Sequence, residues 1–176
     1  MADAHGSLPI IWASTTDSDT FSQAVWGRVY NARRFDRRPR AVIKATTVAH
    51  ITDALQMAVS EGCRLSVRSG GHSWPAWSVR DDAILLDLGG LNILEYDDTT
   101  KTVACSPNIT SDQLATFLES KDRFFPVGHC PGVGMGGFTL QGGQGMNFRV
   151  SRTDPFVMVD KILWLTEFAE EPGVLG

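Results

Sequence analysis

The 176-residue chain has no apolar run long enough to cross a membrane, because its longest hydrophobic stretches are only strand-sized. No positive charge precedes an apolar run at the N-terminus, Met1-Ala2-Asp3-Ala4-His5-Gly6-Ser7, so a secretory signal is not expected. Cysteine is scarce: Cys63, Cys105 and Cys130 are odd in number and widely spaced, which fits neither a disulfide framework nor a CxxC metal clip. The lysine-bearing phosphate loop of nucleoside triphosphatases is missing, as are repeats and low-complexity linkers. Charge of either sign is modest. Twenty acidic against sixteen basic residues leave a net charge of -4, which argues against a general polyanion binder, nucleic acid included. At 43% hydrophobic, the chain is long enough for one ordinary core and too short for two comfortable domains.

What the chain does have is two glycine-rich segments that carry reactive side chains. The first is Arg68-Ser69-Gly70-Gly71-His72-Ser73, and the second is Gly128-His129-Cys130-Pro131-Gly132-Val133-Gly134-Met135-Gly136-Gly137. Adjacent glycines let backbone N–H groups approach a diphosphate where a Cβ would obstruct. The imidazole and the thiol are the groups that a covalent bond to a cofactor would use. A dinucleotide turn of the Rossmann kind is not expected from the second segment: its setting after Pro126 and Pro131 is not a strand-turn-helix, and no acidic residue stands at the ribose position. A metal site from His72, His129 and Cys130 has the ligand types but no compact spacing.

These segments resemble those of the berberine-bridge-enzyme-like oxidoreductases, within the wider FAD-binding family that includes vanillyl-alcohol oxidase and p-cresol methylhydroxylase. The resemblance runs from Asn31 and Arg38-Pro39, through Val67 to Ser73 and Leu85-Leu86-Asp87-Leu88, to Gly142-Gly143-Gln144-Gly145 and Arg149. It implies that His72 bonds the 8α-methyl carbon of the isoalloxazine and Cys130 bonds C6, giving FAD held bicovalently with N5 left free for hydride. It implies a cofactor site made of Arg68, Ser69, Gly70, Gly71, His72, Ser73, Cys130, Gly132, Val133, Gly134, Gly136, Gly137, Gly142 and Gly143. Asn147 and Arg149 would meet the pyrophosphate or ribityl chain. His129 would either orient the flavin or cap its loop, and Trp74 and Trp77 either pack on the cofactor or join the core.

The implied fold is α+β, an FAD-binding domain of the p-cresol methylhydroxylase type with two α/β subdomains, the second incomplete. The expected division is an N-terminal arm over 1–37 and the FAD-binding domain over 38–176, split near residue 105. Past Arg149 the chain departs from the family pattern, with Val150-Ser151-Arg152-Thr153 standing ahead of Asp154-Pro155. The family's substrate domain and its base for substrate are not found in the sequence, so no catalytic residue is named. A complete relative would oxidise a small molecule at an alcohol, sugar or amine carbon and pass electrons to oxygen. The alternative is a truncated, inactive product without a working flavin site. Without a leader the chain reads as cytoplasmic, although many relatives are secreted.

Strands are expected at Ala41-Val42-Ile43, Arg64 to Val67, Ala83 to Leu88 and Phe156 to Leu165, with a hairpin pairing Ile93 to Tyr96 with Lys101 to Cys105. A helix fits Thr47 to Ser60, where Val48, Ile51, Leu55, Ala58 and Val59 recur at helical spacing before Gly62. Thr110 and Gln113 have capping-box spacing ahead of Leu114, Phe117 and Leu118. Six arginines between Arg28 and Arg40 form a basic run, read as a solvated arm leading into the first strand, with a phosphate contact to FAD as its other possible task. Cys63 and Cys105 read as small buried thiols, and His5 and His50 as surface groups.

Overall fold

The computed structural model describes residues 8–143 and 145. The expected roles of Asn147 and Arg149 and the strand from Phe156 lie outside these described residues. A four-stranded sheet is built from β1 (Ile10–Trp12), β2 (Ala41–Lys44), β3 (Leu65–Arg68) and β4 (Ile84–Asp87), in the order β1-β2-β4-β3. The two pairings that join β2 to β4 and β4 to β3 are parallel, while β1 runs antiparallel along the β2 edge.

Strand β4 explains why the sheet is two-sided. All four of its residues are buried, as a strand covered on both faces requires. Ile84 and Leu86 point to one face and pack with Ile43, Ala54 and Ala58; Leu85 points to the other and packs with Val42, Phe21, Ala24 and Val25. The first face is covered by α2 (Val48–Ser60), whose N-cap Thr47 accepts from the His50 amide. The second face is covered by α1 (Ser18–Trp26), capped by Asp17, whose side chain accepts from the Thr20 amide and is thereby held below its ordinary pKa. Each fully buried leucine or isoleucine contributes about 1.5–3 kcal/mol of burial.

Helix α1 and strand β1 were not legible as elements; in the arginine run that follows, Arg33, Arg34, Arg38 and Arg40 are exposed, while Arg28 and Arg37 are partly buried. Phe21, Ala24, Val25 and Val29 are core residues. Several of these arginines also make contacts with the protein itself. Arg37 Nη1 donates to the carbonyls of Pro75, Ala76 and Val79, and the guanidinium groups of Arg34 and Arg38 lie over the rings of Trp26 and Phe21 at 5.6 and 5.4 Å.

The antiparallel hairpin of β5 (Leu94–Asp97) and β6 (Thr102–Cys105) lies where the sequence placed it. It packs with the second part of the chain: Leu94, Tyr96, Val103 and Cys105 join a third cluster formed by α3 (Ser111–Glu119) and α4 (Met135–Gln141) around Leu114, Leu118, Met135 and Phe138. The capping box of α3 is present, with Thr110 and Gln113 bonding each other's backbone amides. Burial raises the Cys105 thiol above its usual pKa.

Candidate functional site

Strands β3 and β4 are parallel neighbours, so a crossover must join them, and residues 69–83 make that crossover without a helix. The segment is pinned instead by Ala76 and Val79, which are buried against α1. His72 sits near its start.

The base of the loop is held by charge. Arg68 and Asp87 are register partners at the ends of β3 and β4, and Arg68 Nη2 meets Asp87 Oδ2 at 2.7 Å. Arg28 forms a second ion pair with Asp87 Oδ1 and donates to the Ser69 carbonyl at 2.9 Å. Asp87 also accepts from the Gly89 amide at 2.9 Å. The Arg68 side chain is only 1% exposed, and its other bonds go to the carbonyls of Ala24 and Val25 that end α1. Favourable placement of a cation at a helix C-terminus adds to the pairing. Arg68, expected as a cofactor contact, therefore uses its guanidinium to lock helix, sheet and loop together.

The arm after α1 runs behind His72. Tyr30 donates its amide to the Gly71 carbonyl at 3.2 Å, and Asn31 Nδ2 donates to the Trp74 carbonyl at 2.7 Å. The Tyr30 ring stacks on the His72 imidazole, with centroids 4.0 Å apart and planes 15° from parallel. Partial loss of hydration and, secondly, the charge of the nearby Cys130 raise the Tyr30 phenol above its ordinary pKa. Gly71 has a φ of +74°, and a Cβ there would stand 1.9 Å from the Arg28 carbonyl oxygen. Only glycine fits.

The second loop is tied to the start of α3. The Ser111 and Asp112 amides, which no residue of the helix itself can satisfy, donate to the carbonyls of Val133 and Pro131 at 2.8 and 3.1 Å. The Met135 and Gly136 amides donate back to Ile109 and Pro107 at 2.8 Å each. Cys130 lies exposed at the turn, with its sulfur 3.9 Å from His129 Nδ1. Gly132, Gly134 and Gly137 stand at Gly-x-Gly-x-x-Gly spacing with the third inside α4, yet no strand leads directly into this turn among the described residues.

The two loops meet through bare backbone. A Cβ on Gly70 would lie 2.6 Å from Gly134 Cα, and one on Gly134 would lie 2.6 Å from Gly70 Cα. This contact brings His72 and Cys130 into one cleft of about 470 Å³. Of the expected site residues, Arg68, Ser69, Gly70, Gly71, His72, Ser73, Cys130, Val133, Gly134, Gly137, Gly142 and Gly143 line it. Gly132 and Gly136 are not in its lining; Gly136 is tight because of Pro107, whose Cβ would be 2.6 Å from a Cβ there. Trp74 and Trp77, left between cofactor and core, are 75% and 52% exposed and line the cleft. Among the described residues no cluster of three or more metal-binding side chains occurs.

The cleft suits a flat aromatic cofactor with a polar tail. Its volume lies within the range of small-molecule sites, roughly 300–1,000 Å³. A Cβ on Gly137 would find no atom within 4 Å, so the backbone there is open to close approach. Arg28, Tyr30 and Asp87 were missed as site-building residues. The signal for Asp87 was present: a carboxylate closing the apolar run Ala83 to Leu86 must have a cationic partner.

Fold and cleft together define a flavin-binding domain. The family model described as an FAD binding domain matches residues 39–157, and the chain belongs to that family. An FAD-linked oxidoreductase of Penicillium janthinellum is 46% identical over 142 residues, spanning 81% of this chain and 31% of the relative. The xylooligosaccharide oxidase of Thermothelomyces thermophilus is 33% identical over 117 residues, spanning 65% of this chain and 24% of the relative. The solved structure of berberine bridge enzyme-like 1 from Physcomitrella patens superimposes with a TM-score of 0.72 at 29% identity, covering 82% of this chain and 31% of that one. The chain thus spans about a quarter to a third of the length of these relatives, and the family it shares with them is that of FAD-binding oxidoreductases.

Proposed function

We propose that this chain is the FAD-binding part of a covalent-flavin oxidoreductase, with His72 and Cys130 as its two attachment points. The carrying observation is that an imidazole and a thiol from loops some sixty residues apart in sequence line the same cleft. A bound flavin supplies a hydride acceptor at N5. The residues of the chain hold and orient it: His72 by a ring nitrogen on the 8α carbon, Cys130 by its sulfur on C6, and the backbone of Ser69, Gly70, Gly71, Ser73, Gly137, Gly142 and Gly143 along the polar tail. Attachment at the 8α carbon and at C6 would leave N5 itself unbonded and free to accept hydride from a small-molecule substrate.

The substrate class is an alcohol, sugar or amine carbon, with oxygen as the electron acceptor. Similarity to a xylooligosaccharide oxidase and to a chitooligosaccharide oxidase structure, the latter at a TM-score of 0.69 and 29% identity, supports the sugar among these. The test is to denature the purified protein in acid and follow flavin absorbance. Yellow colour that precipitates with the polypeptide is expected, and His72→Ala and Cys130→Ala should each leave a single link. Release of all flavin into the supernatant would overturn the covalent reading.

A further inference from the structure

We infer that Tyr30 is a positioning residue for attachment at His72, its ring fixing the plane of the imidazole while leaving both ring nitrogens unengaged. The inference rests on the attachment reading above and concerns how that same site is made ready.

The argument begins with what a nucleophilic imidazole needs. The bonding nitrogen must present a lone pair in the ring plane, so the plane must be set, yet a hydrogen bond to that nitrogen would occupy the very pair that reacts. Among the described residues neither His72 nitrogen has a hydrogen-bond partner. What the ring has is Tyr30, stacked at 4.0 Å and 15°. A face-on contact restricts rotation of the imidazole and consumes neither nitrogen. Most histidines are oriented the other way, by an N–H donated to a carbonyl or carboxylate.

Tyr30 is itself positioned. Its amide bonds the Gly71 carbonyl, Arg28 before it is paired with Asp87, Asn31 after it is bonded to the Trp74 carbonyl, and the Trp74 ring meets the Tyr30 ring edge-on at 5.3 Å. The phenol is therefore a fixed platform although 42% exposed. Its backbone bond to Gly71 does not depend on the side chain, so replacing the ring removes the platform without untying the arm.

Attachment forms one N–C bond and breaks one C–H bond on the 8α carbon. The methyl proton and the imidazole N–H proton are lost, and the electron pair of the C–H bond passes through the flavin ring to oxygen. Tyr30 takes part in none of these transfers.

The test uses the purified protein and its Tyr30→Phe and Tyr30→Ala variants, each denatured, digested with trypsin and examined by mass spectrometry for flavin on the Ser69–Arg80 and Phe124–Arg149 peptides. In the parent protein the two peptides are expected joined through one flavin. Tyr30→Ala should cut occupancy of the His72 peptide at least five-fold while flavin stays on the Cys130 peptide, and Tyr30→Phe should behave as the parent. In flavin-free protein the His72 ring-proton NMR signals should lose their ring-current shift in Tyr30→Ala and keep it in Tyr30→Phe, which reports the stack without any cofactor. Full His72 occupancy in Tyr30→Ala, or an equal loss in Tyr30→Phe, would overturn the inference. A parent protein with flavin on neither peptide, but with the ring-current shift intact, would overturn the attachment reading and with it the role given to Tyr30, while the stack itself stood.

Discussion

The two loops that line the cleft are built by different physics. The His72 loop is held from below by a buried carboxylate between two arginines and from behind by the arm from Arg28 to Asn31, and its glycine at position 71 has no room for a Cβ. The Cys130 loop is held mainly at its flanks, by bonds to the start of α3 and the Gly70–Gly134 contact, and Cys130 itself is exposed. A ring that must be aimed is braced. A thiol, whose sulfur reacts from many directions, is left free at a turn.

The largest effect expected from breaking this contrast is at Asp87. Asp87→Ala leaves Arg68 buried without its counter-charge and frees the base of the His72 loop, and it should cost about 3–5 kcal/mol in equilibrium unfolding by urea. A loss below 1 kcal/mol would mean that the charge network is not what braces the loop. Next is the crossing point itself. Gly134→Ala drives a Cβ into the Gly70 backbone and should cost about 1–3 kcal/mol, with parallel loss of both flavin links.

Cys130→Ser tests the other side of the contrast. At an exposed turn it should change stability by no more than about 0.5 kcal/mol while removing the Cys130 link, as read by unfolding and by peptide mass. The smallest effect is chemical. In the flavin-free protein Cys130 should react with a thiol reagent well ahead of Cys105, because burial raises the Cys105 pKa and so lowers its thiolate fraction at any pH below that value. Cys105 labelling should speed up as the pH rises, and equal rates for the two at pH 7 would contradict the burial of Cys105.

Local signals were readable wherever one short stretch decided the outcome. The capping box at Thr110 and Gln113, the hairpin around Asp97-Asp98-Thr99-Thr100 and the helix over Val48–Ser60 each depend on residues within a few positions of one another. Helix α1 was overlooked because its apolar positions, Phe21, Ala24 and Val25, are few, and the arginines that follow suggested a solvated segment. Arg37 is satisfied by the carbonyls of Pro75, Ala76 and Val79, some forty residues away, a relation invisible along the sequence. Helix α4 was not expected, because glycine supplies two of its seven residues and weakens any helical signal.

The glycines themselves were half legible. Their crowding marked both loops, and most of the expected set does line the cleft. Their reasons differ from the expected one, however: Gly70 and Gly134 serve each other, Gly71 serves the Arg28 carbonyl and Gly136 serves Pro107, whereas Gly137 opens onto free space. Glycine spacing cannot say whether the neighbour that needs the room is a ligand or another piece of chain.

Since Gly70 and Gly134 touch through main chain alone, the gap between the two loops is gauged by backbone contact, and a side chain at either of these two positions would force it wider. Trp74, Trp77 and Gln141 also line the cleft, and their side chains can be traded without entering that crossing. An engineer seeking new selectivity has that freedom and that boundary.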